Sequence, residues 1–221
     1  MEDLLKKITR CIESGKINKK SPFPPEMRDQ DGADEYTLHA LNEGAQPEDI
    51  LEALIAGMQV VGQKFSENKI FVPQMLMSAK AMSAAMLHLK PHFESGKAKR
   101  KGTFVIGTVE GDLHDIGKNL VAMMIEGNGY EVIDLGVDVK PERFLSEIEK
   151  FPHCVVGLSA LLTTTMINMK KTVQLIKDSY PDQVVCIGGA PVTQNFCNEI
   201  NADFYSPDPQ GAVEFLKRLA S

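Results

Sequence analysis

The chain has 221 residues, of which 43% are hydrophobic and 24% charged, and its formal net charge is −6. That length exceeds one typical domain and falls short of two large ones, and the apolar content suffices for a buried core, which excludes a disordered chain. The negative balance argues against a nucleic-acid partner, and no apolar run reaches the length of a membrane span.

The first residues are charged throughout (Glu2, Asp3, Lys6, Lys7), unlike a secretory signal, so a cytoplasmic protein is expected. Cys11, Cys154, Cys186 and Cys197 show no C-x-x-C spacing and are expected to be reduced, structural thiols.

Taken in chain order, residues 1–15 read as an amphipathic helix with Leu4, Leu5, Ile8 and Ile12 on one face, ended by Gly15. Ser21-Pro22-Phe23-Pro24-Pro25 cannot continue it, and an ordered surface loop is expected to about Ala33. A second helix is predicted over 35–42, stopped by Gly44. Pro47 opens a third, which carries Ile50, Leu51, Leu54, Met58 and Val61 to about Phe65. A fourth starts near Pro73 and is predicted to end before Pro91. The expectation for 1–93 is an antiparallel four-helix bundle. His88 and His92 are four apart, but Pro91 lies between them and no third ligand is near, so they read as helix-end histidines rather than a metal site.

Lysine and glycine from 94 to 102 mark a linker, and its basic cluster (Lys97, Lys99, Arg100, Lys101) reads as solvated. From 103 to 221 the periodicity changes. Strands near 103–109, 131–135, 154–159, 184–188 and 203–205 alternate with helices near 116–128, 141–150, 166–179, 191–199 and 209–220. That alternation predicts an α/β domain with a five-stranded parallel sheet covered by helices on both faces, in the flavodoxin-like order. The switch point of that order lies between the first and third strands.

The loops after those two strands carry the chemistry. Gly111-Asp112-Leu113-His114-Asp115-Ile116-Gly117 joins the first strand to a helix, and Asp112 could bond one ring nitrogen of His114, leaving the other for a metal. The plainer alternative is that Asp112 or Asp115 caps the helix and His114 is a solvated loop residue. After the third strand come Ser159, Leu161 and the hydroxyl run Thr163-Thr164-Thr165, and after the fourth the pair Gly188-Gly189. Glycine pairs there often make only a turn, and Ser or Thr often caps a helix.

Together the D-x-H-x-x-G loop, the S-x-L loop and the G-G turn resemble the signature of cobalamin-binding domains. Val61-Gly62-Gln63-Lys64-Phe65, followed by Phe71-Val72-Pro73-Gln74-Met75, resembles the helical cap that accompanies this domain in methionine synthase and in the corrinoid proteins of anaerobic methyltransferase systems. The resemblance implies a cobalamin or related corrinoid whose cobalt takes His114 as lower ligand, with Asp112 as its hydrogen-bond partner. Thr165 stands where the family places a serine that extends this relay. Ser159 and Thr163 match positions that contact the displaced nucleotide base, and Leu161 of the S-x-L loop is expected among the cofactor-binding residues. Gly188 and Gly189 match the turn along the nucleotide tail, and Tyr205 and Asp208 match the edge of its pocket. Phe65, Val72 and Met75 would cover the upper face of the corrin, or else pack as ordinary core.

The same resemblance implies a methyl carrier rather than an enzyme in its own right, since no zinc-ligand cluster or nucleophile–base pair is evident. It would be loaded by a substrate-specific methyltransferase and unloaded by an acceptor methyltransferase, with tetrahydrofolate or another one-carbon carrier as acceptor and a reductive activator of the corrinoid as third partner. Methoxyarenes, methylamines, methanol and betaines all remain open as methyl sources. The alternative of a different class is a cobalamin-dependent sensor, whose output would need a DNA-binding or signalling module.

Overall fold

Four helices build the N-terminal part of the computed structural model, which describes residues 2–94 and 100–219: α1 (Glu2–Ser14), α2 (Ala33–Asn42), α3 (Pro47–Ser66) and α4 (Val72–Glu94). Pro47 opens α3 because the first turn has no use for its missing N–H, and Glu48 and Asp49 follow where the helix dipole favours negative charge. The inward faces of these helices place Ile8 and Ile12, Ile50, Leu54 and Met58, and Leu89 wholly out of solvent.

Two boundaries differ from expectation. α2 starts at Ala33, two residues early, because Glu35 turns back and its Oε2 accepts the Gly32 N–H at 2.8 Å, capping the first turn. α4 runs through Pro91 to Glu94 instead of ending before the proline. Only the bond from position 91 to the carbonyl of Leu87 is forfeited there, and Leu87 lies on the exposed side, where water can take its place. The loop between α1 and α2 is ordered around a buried Lys16, whose Nζ donates to the Ser21 carbonyl at 2.9 Å. Within the expected linker at 94–102, residues 95–99 lie outside the described residues, and the cluster's Lys97 and Lys99 with them.

The chain divides into two units, Met1–Arg100 with Gly127–Gly129, and Lys101–Glu126 with Tyr130–Ser221. The second unit alternates strictly: β1 (Thr103–Thr108), α5 (Ile116–Glu126), β2 (Glu131–Asp134), α6 (Pro141–Lys150), β3 (Val155–Ser159), α7 (Met166–Ser179), β4 (Val185–Gly188), α8 (Gln194–Glu199), β5 (Phe204–Tyr205) and α9 (Pro209–Leu219). The strands form one five-stranded sheet in the order β2-β1-β3-β4-β5, all parallel. Apolar runs such as Phe104-Val105-Ile106 are buried, as a sheet covered on both faces requires. α8 starts at Gln194, later than expected, where the Thr193 hydroxyl caps it by accepting the Phe196 N–H at 3.2 Å. Chain order reverses between β1 and β3, so the loops that follow them meet at the C-terminal edge, where open α/β sheets hold their ligand crevice. No helix among the described residues is long and apolar enough to cross a membrane.

One ring anchors this unit's core. Phe144 of α6 is fully buried over β1, where Gly107 makes room for it: a Cβ there would lie 2.8 Å from the ring's Cζ. Phe144→Ala should therefore leave a cavity against the sheet and cost about 3–5 kcal/mol. Urea unfolding of the two proteins measures it, and a loss under about 1 kcal/mol would mean the site collapses around the smaller side chain.

Candidate functional site

Asp112 is the centre of the crevice. Its side chain is fully buried in the loop between β1 and α5, and both oxygens are saturated. Oδ1 accepts the His114 backbone N–H at 3.1 Å and faces His114 Nδ1 at 2.8 Å. Oδ2 accepts the Leu161 N–H at 2.8 Å, the Leu162 N–H at 3.2 Å and the Thr165 hydroxyl at 2.7 Å. One carboxylate thus ties the loop after β1 to the loop after β3 across the switch point.

These donors decide its charge. Burial, the largest single influence, would raise the Asp112 pKa, but the hydrogen bonds from Thr165, from His114 and from the Leu161 and His114 backbones outweigh it together and hold the carboxyl well below the usual carboxylate range. An ionised carboxylate only accepts, so Nδ1 of His114 carries the proton of their shared bond and Nε2 of the neutral ring keeps its lone pair. Half of the His114 side chain is exposed. A proton-fixed imidazole with an accessible Nε2 is what a metal requires of a histidine ligand.

Asp115, the other candidate cap, sits just before α5, with its carbonyl accepting the Asn119 N–H at 2.7 Å and its Oδ2 the Asn119 side chain at 3.0 Å. Histidine orientation therefore falls to Asp112, while Asp115 stays with α5. Thr165 keeps its hydroxyl in the relay despite its branched side chain. Leu113 is 71% and Ile116 74% exposed, Leu161 and Leu162 are exposed beside Asp112, and Gly117 faces open space. Ser159 closes β3 half-buried, and Thr163 is exposed in the same loop. Gly189, at φ +127, is required by packing: a Cβ would lie 1.8 Å from the Ala160 carbonyl oxygen, so the turn after β4 rests on the loop after β3. Gly188 ends β4, and its carbonyl accepts the Ala160 N–H at 3.2 Å.

Tyr205 is half-buried in β5, and Asp208 caps α9, its Oδ1 accepting the Gly211 N–H at 2.9 Å. In the helical unit Phe65 and Val72 are half-buried, whereas Met75 is 1% exposed and would have to be uncovered to touch a ligand.

Sequence reasoning missed four residues that hold this loop. Thr108, buried at the end of β1, donates its hydroxyl to the His114 carbonyl at 2.8 Å. Asn168 of α7 donates to the Glu110 carbonyl at 2.9 Å, and the Asp138 carboxylate accepts the Gly111 N–H at 2.7 Å. Lys118 is buried and bonded to Asp134 of β2, which fixes the start of α5. A hydroxyl closing an otherwise apolar strand was a visible signal for Thr108; Asn168 carried none.

Among the described residues no group of three or more His, Cys, Asp or Glu side chains is assembled that could hold a bare metal ion. One imidazole with exposed leucine and isoleucine side chains around it suits instead a metal that brings its own equatorial ring. The comparisons with known proteins decide the matter. Residues 102–211 match the family model described as B12 binding domain, and residues 27–90 match a second model of the same description. The trimethylamine corrinoid protein of Methanosarcina barkeri is 39% identical over 194 residues, 86% of this chain and 89% of that protein. The chain belongs to the B12-binding corrinoid proteins.

Its cofactor is accordingly a corrinoid. A corrinoid protein of Desulfitobacterium hafniense strain Y51 is 38% identical over 86% of this chain and 91% of its own length. Among solved structures, the methanol:cobalamin methyltransferase complex MtaBC from Methanosarcina barkeri aligns at a TM-score of 0.83 and 31% identity, covering 99% of this chain and 80% of that one. A cobalamin-binding protein from Desulfitobacterium hafniense DCB-2 aligns at 0.74 and 29% identity over 97% of both chains. The half-exposed imidazole of His114 and the exposed apolar side chains of the same loops are residues that could hold such a cofactor.

The depressed Asp112 pKa makes stability depend on acid. Its contribution is complete above the ordinary carboxylate value of about 3.9 and is lost as pH falls below that value. Asp112→Asn should cost about 2 kcal/mol or more near neutrality, because an amide nitrogen faces donors it cannot accept from, and should flatten the acid limb. Denaturant titrations at a series of pH values test both effects, and an unchanged acid limb in the variant would count against the assignment.

Proposed function

We propose that this corrinoid protein carries a methyl group on cobalt between a substrate-specific methyltransferase and a second methyltransferase. The observation that supports it is the Asp112–His114–Thr165 relay at the switch point, which presents a single oriented nitrogen. When bound, a corrinoid supplies a cobalt that accepts a methyl group in its reduced state and gives it up to a nucleophile.

The chain's own residues then have defined tasks. His114 would hold the cobalt through Nε2, Asp112 keeps the ring's proton on Nδ1 and fixes its plane, and Thr165 steadies the carboxylate from the far loop. Ser159 and Thr163, with Gly188 and Gly189 one strand further, line the groove proposed for the nucleotide tail, and Tyr205 and Asp208 stand at its edge. Releasing a methyl from a neutral amine or an alcohol requires a Lewis or proton acid at the leaving atom, and the partner methyltransferase is proposed to supply it. The names of the relatives, trimethylamine corrinoid protein and methanol:cobalamin methyltransferase complex, support methylamines or methanol as the class of donor. The acceptor enzyme, with tetrahydrofolate or a similar one-carbon carrier, and a reductive activator complete the proposed set.

The test is a turnover experiment on reduced holoprotein with methylamines or methanol, with and without a cognate methyltransferase. The expected result is no reaction alone and one methyl taken up per protein when the enzyme is added. Repeated turnover by the isolated protein would overturn the carrier reading. His114→Gly should abolish the axial-nitrogen splitting in the electron paramagnetic resonance spectrum of the Co(II) form.

A further inference from the structure

The motif that carries His114 begins with its most flexible residue. Gly111 sits at φ +82, has no Cβ to restrict it, and a rotation there would swing the Asp112 side chain out of its nest of donors. Something outside the motif must hold it. The residue in place is Asp138, in the loop between β2 and α6.

Asp138 grips the Gly111–Asp112 segment at two points. Its Oδ1 accepts the Gly111 N–H at 2.7 Å, and its own N–H donates to the Asp112 carbonyl at 3.0 Å. The loop that bears it is in turn laced to the end of β1: Thr108 N–H donates to the Gly136 carbonyl at 3.0 Å and Val139 N–H to the Thr108 carbonyl at 3.0 Å. Asp138 itself stands at φ +54, a conformation that aspartate and asparagine tolerate better than other side chains. Its backbone has taken an uncommon conformation in the place from which the carboxylate reaches Gly111.

We infer that Asp138 is a positioning residue, which locks the glycine hinge so that Asp112 stays seated and His114 stays aimed. The functional weight of this rests on His114 being the axial ligand, but the locking itself does not. The loop after β2 thereby joins those after β1 and β3 as a third support of the ligand.

Two variants, read against wild type, separate acceptor from conformation. Asp138→Gly keeps the left-handed backbone and removes the acceptor, Asp138→Asn keeps both, and wild type is the reference. Amide hydrogen exchange is measured on the full chain, before and after corrinoid loading, at His114 and Leu161, whose N–H groups donate to Asp112, and at the core residue Val156. In Asp138→Gly the His114 and Leu161 amides should exchange about tenfold faster relative to Val156, while Asp138→Asn should stay close to wild type. A merely structural role would speed Val156 by the same factor and leave the ratio unchanged. An unchanged ratio in Asp138→Gly, or the same acceleration in Asp138→Asn, overturns the inference. The ligand reading is judged apart, by the Co(II) spectrum of His114→Gly: axial-nitrogen splitting that persists there refutes His114 as ligand and leaves the exchange result standing.

Discussion

The structure depends on one buried negative charge. Removing a carboxylate from water is expensive, and it is tolerated only where donors replace the water lost. Asp112 meets that condition with a hydroxyl, a ring nitrogen and backbone N–H groups drawn from two loops. The requirement runs both ways. The N–H groups of Leu161 and Leu162 need an acceptor as much as the carboxylate needs donors, so the two loops hold each other in register.

From this follows the division of the site into a fixed side and an open side. Nδ1 of His114 belongs to the protein, and Nε2 belongs to whatever binds there. The leucine and isoleucine side chains about it are exposed, an arrangement that is unfavourable in water and suited to the face of a large flat ligand. A corrinoid protein needs little more than this from its polypeptide, because the organometallic chemistry resides in the cofactor. In the proposed function the chain's contribution is the aim of one nitrogen, which the hydrogen bonds of Asp112 would serve.

Strand order determines which loops can share the task. In the β2-β1-β3-β4-β5 sheet, β1 is flanked by β2 and β3, so the loop that carries His114 has a neighbouring loop on either side. One neighbour sends Leu161, Leu162 and Thr165 to the Asp112 side chain, and the other sends Asp138 to the backbone beneath it. Further along, the contact of Gly189 with the Ala160 carbonyl ties the turn after β4 to the loop after β3. Each loop at this edge is therefore braced by the next, and the site is a property of the sheet edge rather than of the motif alone.

The sequence by itself determined the elements, the parallel five-stranded order and the pairing of Asp112 with His114. Hydrophobic periodicity separates the helical part from the alternating part, and the D-x-H spacing places a carboxylate within reach of its own histidine, both of which are local properties. It misjudged the end of α4, because the cost of Pro91 depends on whether water can reach the carbonyl of Leu87, and the start of α2, which a returning Glu35 sets. Only the tertiary structure decided that Asp115 rather than Asp112 stays with its own helix, that Thr165 reaches across more than fifty residues to the carboxylate, and that Thr108, Asp138 and Asn168 hold the loop's backbone. The reason is physical: those bonds join groups far apart in the chain, and their partners on the loop are mostly backbone atoms, which look the same in every residue until the fold brings one of them to a particular side chain.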